Sequence, residues 1–292
     1  MALRRLARIA RRVSSRIAHR VSRKLRLIAK SDLAWLDKLR YLLPRPARTY
    51  RLRGGARVTL RPRTTDAKVF DEIFIEQVYA PCVEALAGDP GPFTLLDLGA
   101  YTGLSALFFA RKLPRVDRIV AVEPDPANFR QLSSNLETTG LARRSTAVHA
   151  FAGAERSFAE VRDSGNGAWG MRMGPLSNTG TPVLPLPELI SLAESDAPVV
   201  VKCDIEGGEH ALFLHIRDWE HLVRYIFLEL HTEFLPLPEL LACLDSSRFH
   251  WTVRGAPDQH AAITFCLLTR GEARAESPAL SSGNATMKHV CL

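Results

Sequence analysis

Four short runs of this chain combine residue types that could do chemistry. In the first, Leu95-Leu96-Asp97-Leu98 is an apolar stretch ending in a turn, Gly99-Ala100-Tyr101-Thr102-Gly103. Small residues let a backbone approach a bound nucleoside closely, and a helix opening at Gly103 offers free N–H groups. In the second, Ala121-Val122-Glu123-Pro124-Asp125, a carboxylate stands 24 positions after Gly99. That is the span of one helix and one strand, and an acid so placed can accept hydrogen bonds from both ribose hydroxyls. The third, Val201-Lys202-Cys203-Asp204-Ile205-Glu206-Gly207-Gly208-Glu209, ends a buried strand with two acids and an open turn. The fourth, Leu228-Glu229-Leu230-His231, closes an apolar strand with an imidazole. Asp204, Glu206 and His231 are therefore candidates to take a proton, to position hydroxyl groups or to hold a hard divalent cation.

These runs need a scaffold that brings strand ends together. From residue 93 the sequence alternates strand and helix signals. Strands are expected over 93–98, 118–123, 146–151, 199–204 and 224–231, and helices over 103–112, 126–138, 209–215 and 238–245. Continuous apolar strands such as Val199-Val200-Val201 imply burial on both faces, the mark of parallel strands covered by helices. In such sheets ligands bind outside the carboxyl ends of the strands. Runs at 249–253 and 262–268 predict an antiparallel pair at one edge. Gly165, Gly167, Gly170 and Gly174 around Trp169 read as a mobile substrate loop. Upstream, Pro44, Pro46, Gly54 and Gly55 mark turns. A short strand is expected over 57–60 and a helix over 66–79.

The chain therefore divides into a basic amphipathic extension (1–30), a lead-in region with a helix (31–92), an α/β domain (93–270) and a tail without expected order (271–292). The net charge of the 292 residues is +8. Residues 1–30 hold nine Arg, two Lys and no acid, which leaves −3 for the remainder. An acidic catalytic region speaks against a nucleic-acid surface, as does the lack of an Asn/Asp-Pro-Pro-aromatic run for gripping a flipped base. In the extension, Leu3, Leu6, Ala10, Val13, Ile17, Val21, Leu25 and Ile28 share one helical face, with Arg on the other. Such a helix can lie on an anionic membrane, serve as a mitochondrial presequence or remain a solvated arm. No apolar run reaches the ~18 residues of a membrane span. Five scattered cysteines fit a reducing, cytoplasmic compartment better than a disulfide framework.

The first turn lacks the G-x-G-x-x-G that seats a pyrophosphate, so a ligand without phosphates, such as S-adenosylmethionine, fits better than a dinucleotide. The four runs, in this order and preceded by Thr65-Asp66, resemble the FkbM family of class I methyltransferases over about residues 61–235. The family usually has Asn-x-Gly where this chain has Tyr101-Thr102-Gly103, and Val or Ile at Cys203. The resemblance implies a Rossmann-like fold, with a seven-stranded, mostly parallel sheet and helices on both faces. It implies S-adenosylmethionine as donor and O-methylation of a hydroxyl on a sugar, glycan, glycolipid or secondary metabolite. Gly99, Tyr101 and Gly103 are then expected along the donor, Glu123 on its ribose, and Asp97 on its amino group or orienting the loop. Asp204, Glu206 or His231 takes the hydroxyl proton, with His231 best matched to neutral pH, and no resident metal is expected. A nicotinamide-dependent oxidoreductase and a non-enzymatic membrane-associated binding protein are the competing readings.

Overall fold

The computed structural model describes residues 22, 25–43, 48–89, 91–165, 167–254 and 263–273. Most of the amphipathic extension lies outside them; residues 25–30 are helical. The chain divides into two compact units, Met1–Val78 and Tyr79–Leu292. No helix among the described residues is long and apolar enough to cross a membrane.

The first unit comprises helix α1 (Trp35–Tyr41), an antiparallel pair of strands β1 (Arg48–Arg51) and β2 (Arg57–Leu60), and helix α2 (Asp66–Phe70). The helix expected over 66–79 is shorter than its periodicity suggested. After Phe70 it widens into a π-helical turn, Asp71–Glu76, and stops at Gln77, whose φ of 57° is left-handed. An aromatic cluster holds the unit together: Tyr41, Tyr50, Phe70 and Phe74 lie ring to ring at 5.0–5.9 Å. The fully buried Asp66 accepts a two-pronged contact from Arg61 at 2.8 and 3.1 Å. A guanidinium fork suits a carboxylate in this way and satisfies a charge that burial alone would make costly.

In the second unit, helix α3 (Ala80–Leu86) precedes the strand–helix alternation read from the sequence. β3 (Phe93–Leu98), α4 (Leu104–Lys112), β4 (Val116–Val122), α5 (Pro126–Thr138) and β5 (Ser145–Val148) form its first half. β6 (Phe151–Gly153), β7 (Ser157–Asp163), β8 (Met171–Ser177), β9 (Thr181–Pro185) and α6 (Leu186–Ser191) follow. The remainder is β10 (Val199–Cys203), α7 (Glu209–Leu214), α8 (Ile216–Trp219), β11 (Val223–His231), α9 (Leu237–Ser246), β12 (Phe249–Arg254) and β13 (Ile263–Ala273).

The main sheet has seven strands in the order β12-β13-β11-β10-β3-β4-β5. β13 runs antiparallel to both its neighbours and the other pairs are parallel. This is the expected mostly parallel sheet with its antiparallel edge pair. Alternate residues serve opposite faces. Leu96, Leu98, Val120, Val122, Val199 and Val201 join a core with Leu186, Leu189, Phe213 and Leu240 from helices on one face. On the other face Phe109 of α4 stacks on Phe227 of β11 at 5.4 Å. Helices on both faces explain why the strands are apolar throughout.

Three departures from expectation share a cause. The strand expected over 146–151 is two strands, because the chain leaves the main sheet after Val148 and β6 joins a second sheet, ordered β6-β9-β7-β8. The glycine-rich stretch read as a substrate loop is the β7–β8 hairpin of that sheet; Gly165 and Gly167 supply positive φ at its turn. β13 continues through Ala273, into the expected tail. In each case pairing within a sheet sets the strand's extent, which a local window of sequence does not register.

Candidate active site

The strand order reverses between β3 and β10, and such a switch point opens a crevice at the strand ends. The first and third chemical runs flank it. The turn after β3 is left-handed at Gly99, Tyr101 and Gly103, with φ of 69°, 51° and 79°. A Cβ on Gly99 would stand 1.8 Å from the Asp204 carbonyl oxygen, and one on Gly103 would stand 2.8 Å from Leu132 Cδ1. Both glycines are thus required by the packing of this turn against the rest of the chain. The turn and the loop after β10 are knitted together, with Asp204 N–H donating to the Leu98 carbonyl.

Lys202, which the sequence reading left without a role, is central to this arrangement. It is buried in β10 beside Asp97. Its ammonium donates to the carbonyls of Gly99 (2.8 Å) and Leu98 (3.2 Å) and to Asp204 Oδ2 (3.3 Å), and lies 3.5 Å from Asp97 Oδ1. Burial works against its charge, but Asp204, Tyr79 and Asp97 outweigh it and hold the lysine well above its ordinary value. Asp97 is fully buried and accepts from Ser105 Oγ at 2.5 Å. Burial pushes its carboxyl up, against the pull of Lys202 and Ser105. A lysine inside a strand of valines was the available signal, because such a cation needs acceptors.

Glu123 directly follows β4, with only 4% of its surface exposed. Its Oε2 accepts Tyr101 N–H at 2.9 Å, and its Oε1 accepts Asp125 N–H at 2.9 Å and Asn128 Nδ2 at 3.3 Å. Glu123 does not cap α5. Asp125 does, accepting from Ala127 and Asn128 N–H groups. Burial lifts the Glu123 carboxyl to about 7, although the three N–H donors favour its charge. Asn128 also donates to the Ala168 carbonyl at 2.7 Å, so the turn of the β7–β8 hairpin reaches this end of the crevice. Arg172 of the same hairpin lies over the Phe234 ring at 4.7 Å, beside the loop after β11.

At the other end Asp204, Glu206 and His231 converge; one ligand atom from each lies within 4.8 Å of the others. His231 Nε2 is 3.7 Å from Glu206 Oε2 and 4.0 Å from Asp204 Oδ1. Glu206 takes a left-handed φ of 51° to reach inward. Glu209, also missed from sequence, fixes the group. Fully buried at the start of α7, it accepts Ile205 N–H (3.2 Å), Gly207 N–H (2.8 Å) and His231 Nδ1–H (2.9 Å). Burial opposes the charge of His231, but the Glu209 hydrogen bond and the neighbouring acids raise it to about 9. The imidazole was expected to be the group best matched to neutral pH, and its surroundings favour the protonated form there instead.

Among solved structures, the methyltransferase FkbM from Methylobacillus flagellatus KT is 23% identical, over 61% of this chain and 43% of that one, with a TM-score of 0.41. This chain thus covers less than half the length of that relative. M. jannaschii TYW2 in complex with AdoMet is 12% identical, over 78% of this chain and 87% of that one, with a TM-score of 0.43. M. capricolum TrmK in complex with S-adenosyl-homocysteine is 9% identical, over 68% and 71%, with a TM-score of 0.41. No curated protein matches the chain. The methyltransferase FkbM domain matches residues 97–247, from Asp97 near the end of β3 to just beyond α9, and the chain therefore belongs to the FkbM methyltransferase family.

Proposed function

We propose that this methyltransferase uses S-adenosylmethionine to methylate a hydroxyl of a sugar, glycan, glycolipid or secondary metabolite. The observation that carries the reading is the convergence of Asp204, Glu206 and His231 at the switch point, with their loop against the Gly99 turn. Two carboxylates and an imidazole suit an acceptor that arrives with O–H donors. When bound, the donor supplies a sulfonium methyl already activated for displacement. Glu123 accepts the ribose hydroxyls, which favour its charged form. Tyr101 and Gly103 line the same crevice, and Asp97 orients the turn through Ser105 and Lys202. The proton of the acceptor hydroxyl would pass to Asp204 or Glu206, the carboxylates that the protonated His231 faces at 4.0 and 3.7 Å. Holding oxygen, carbon and sulfur in line supplies much of the acceleration.

Isothermal titration of the full chain with S-adenosylmethionine and with NAD tests the donor. Binding of NAD alone, or of neither, rejects the reading. Mass analysis of products from extracted glycolipids and secondary metabolites tests the hydroxyl acceptor.

We also infer that the first unit rests on an anionic membrane surface. Trp35, Leu36, Leu39, Leu42 and Leu43 are exposed on and just after α1, with Trp35 at 70%. Arg40, Arg51 and Arg57 line an open cleft of the same unit. Apolar anchors beside guanidinium groups suit the headgroup boundary. Co-sedimentation with anionic but not neutral vesicles, lost in a Trp35→Ser/Leu39→Ser variant, is the expected result. Equal sedimentation of the variant removes the proposal.

A further inference from the structure

We propose that Asp204, Glu206 and His231 form a divalent-cation site, and that the acceptor's oxygen completes the cation's coordination. The second half rests on the methyltransferase reading; the first does not.

The donor set has the right chemistry. Two carboxylate oxygens and one imidazole nitrogen suit Mn²⁺ or Mg²⁺, with the nitrogen leaning toward Mn²⁺. His231 is 5% exposed, and among the described residues its Nε2 faces Glu206 Oε2 and Asp204 Oδ1 at 3.7 and 4.0 Å, beyond hydrogen-bond distance. Because Glu209 already accepts from two backbone N–H groups, His231 Nδ1 is the donor in their contact. The Nε2 edge then faces Asp204 Oδ1 at 4.0 Å and Glu206 Oε2 at 3.7 Å. A divalent cation entering between them displaces the Nε2 proton to solvent, takes the freed lone pair and answers both carboxylates.

The supporting contacts are those a metal site uses. A carboxylate on the far nitrogen of a ligating histidine sets its tautomer and orientation, and Glu209 does this at 2.9 Å. Lys202 holds Asp204 Oδ2 at 3.3 Å, so Oδ1 is the oxygen left facing His231. Adjacent ligands about 2.1–2.2 Å from one cation stand about 3 Å apart, so the separations of 3.7 and 4.0 Å close by about 1 Å on binding. Asp204 and Glu206 keep 25% and 19% side-chain exposure, which leaves the cation accessible from the crevice. Three protein ligands leave up to three octahedral positions for water and for oxygens of the acceptor.

The test uses the full chain after chelator treatment, titrated with MnCl2, with free Mn²⁺ counted by its paramagnetic resonance signal. One site per chain is expected, displaced by excess Mg²⁺. Glu206→Gln and His231→Ala each weaken Mn²⁺ binding at least about tenfold, while circular dichroism and S-adenosylmethionine affinity stay as in the parent. Should His231→Ala fail to fold, the isosteric Glu206→Gln decides. A folded, donor-binding parent that takes up no Mn²⁺ at millimolar concentration overturns the proposal, as does a site that both variants retain. Mn²⁺ bound at this site without donor binding would leave the cation assignment standing and sink the methyltransferase reading instead.

Discussion

Replacing Glu123 with Gln keeps the side chain's shape and removes its titration. Burial raises the Glu123 carboxyl from its ordinary 4.5 to about 7 in the folded chain. A folded-state value above the unfolded one means the folded chain binds the extra proton between these limits. The stability this group contributes is complete below about pH 4.5 and is lost as pH rises through 7. The difference corresponds to about 3 kcal/mol. Denaturant unfolding between pH 4.5 and 8, with no ligand, should show this decline in the parent and not in Glu123→Gln; the difference between the two curves isolates the group. Ribose hydroxyls donate to the ionised form, so S-adenosylmethionine should draw the proton off. With about a tenth of the groups ionised at pH 6 and about nine tenths at pH 8, parent affinity should rise about tenfold over that interval. Glu123→Gln should bind about 10–100-fold more weakly at pH 8, from the loss of about 1–3 kcal/mol of hydrogen bonding, with a flat pH profile. Isothermal titration at both pH values checks this. A parent affinity unchanged between pH 6 and 8, or a variant that binds like the parent, would refute the ribose assignment.

Gly99→Ala should cost well over 3 kcal/mol or abolish folding, because its Cβ meets the Asp204 carbonyl at 1.8 Å. Gly140→Ala, at a similar φ of 76° with nothing within 4 Å, should cost only about 1 kcal/mol; thermal unfolding of the pair separates clash from backbone strain. Lys202→Met should destabilise the chain by about 3–5 kcal/mol, since Asp97 is left buried without its cation. Denaturant unfolding measures this, and a loss under 1 kcal/mol would show that the lysine is not the keystone of the two loops. Glu209→Gln should weaken Mn²⁺ binding about 10–100-fold through misorientation of His231, with both ligating carboxylates intact.

Much of the scaffold is written locally. The valine run of β10, the turn after β3 and the Asp125-Pro126 start of α5 each specify their own backbone through apolar spacing, positive φ or capping. The four chemical runs were therefore legible, and so was their placement at strand ends. Legible in type but not in partner were Lys202 and Glu209, a buried cation and a buried acid. Lys202 meets Gly99 across 103 residues, and Glu209 meets His231 across 22. The second sheet was not legible at all, because β6 pairs with β9 and β7 with β8 only once the chain has left the main sheet after Val148.

Residue order alone decided most of the strands and helices of the main sheet, and which strand ends carry acids. Which acid faces which cation was decided by strand register, since a slip of one residue turns every side chain of a strand to the other face. Lys202 stands beside Asp97 because β10 and β3 pair in that register, and that choice is made by burial across the whole sheet rather than by any local run.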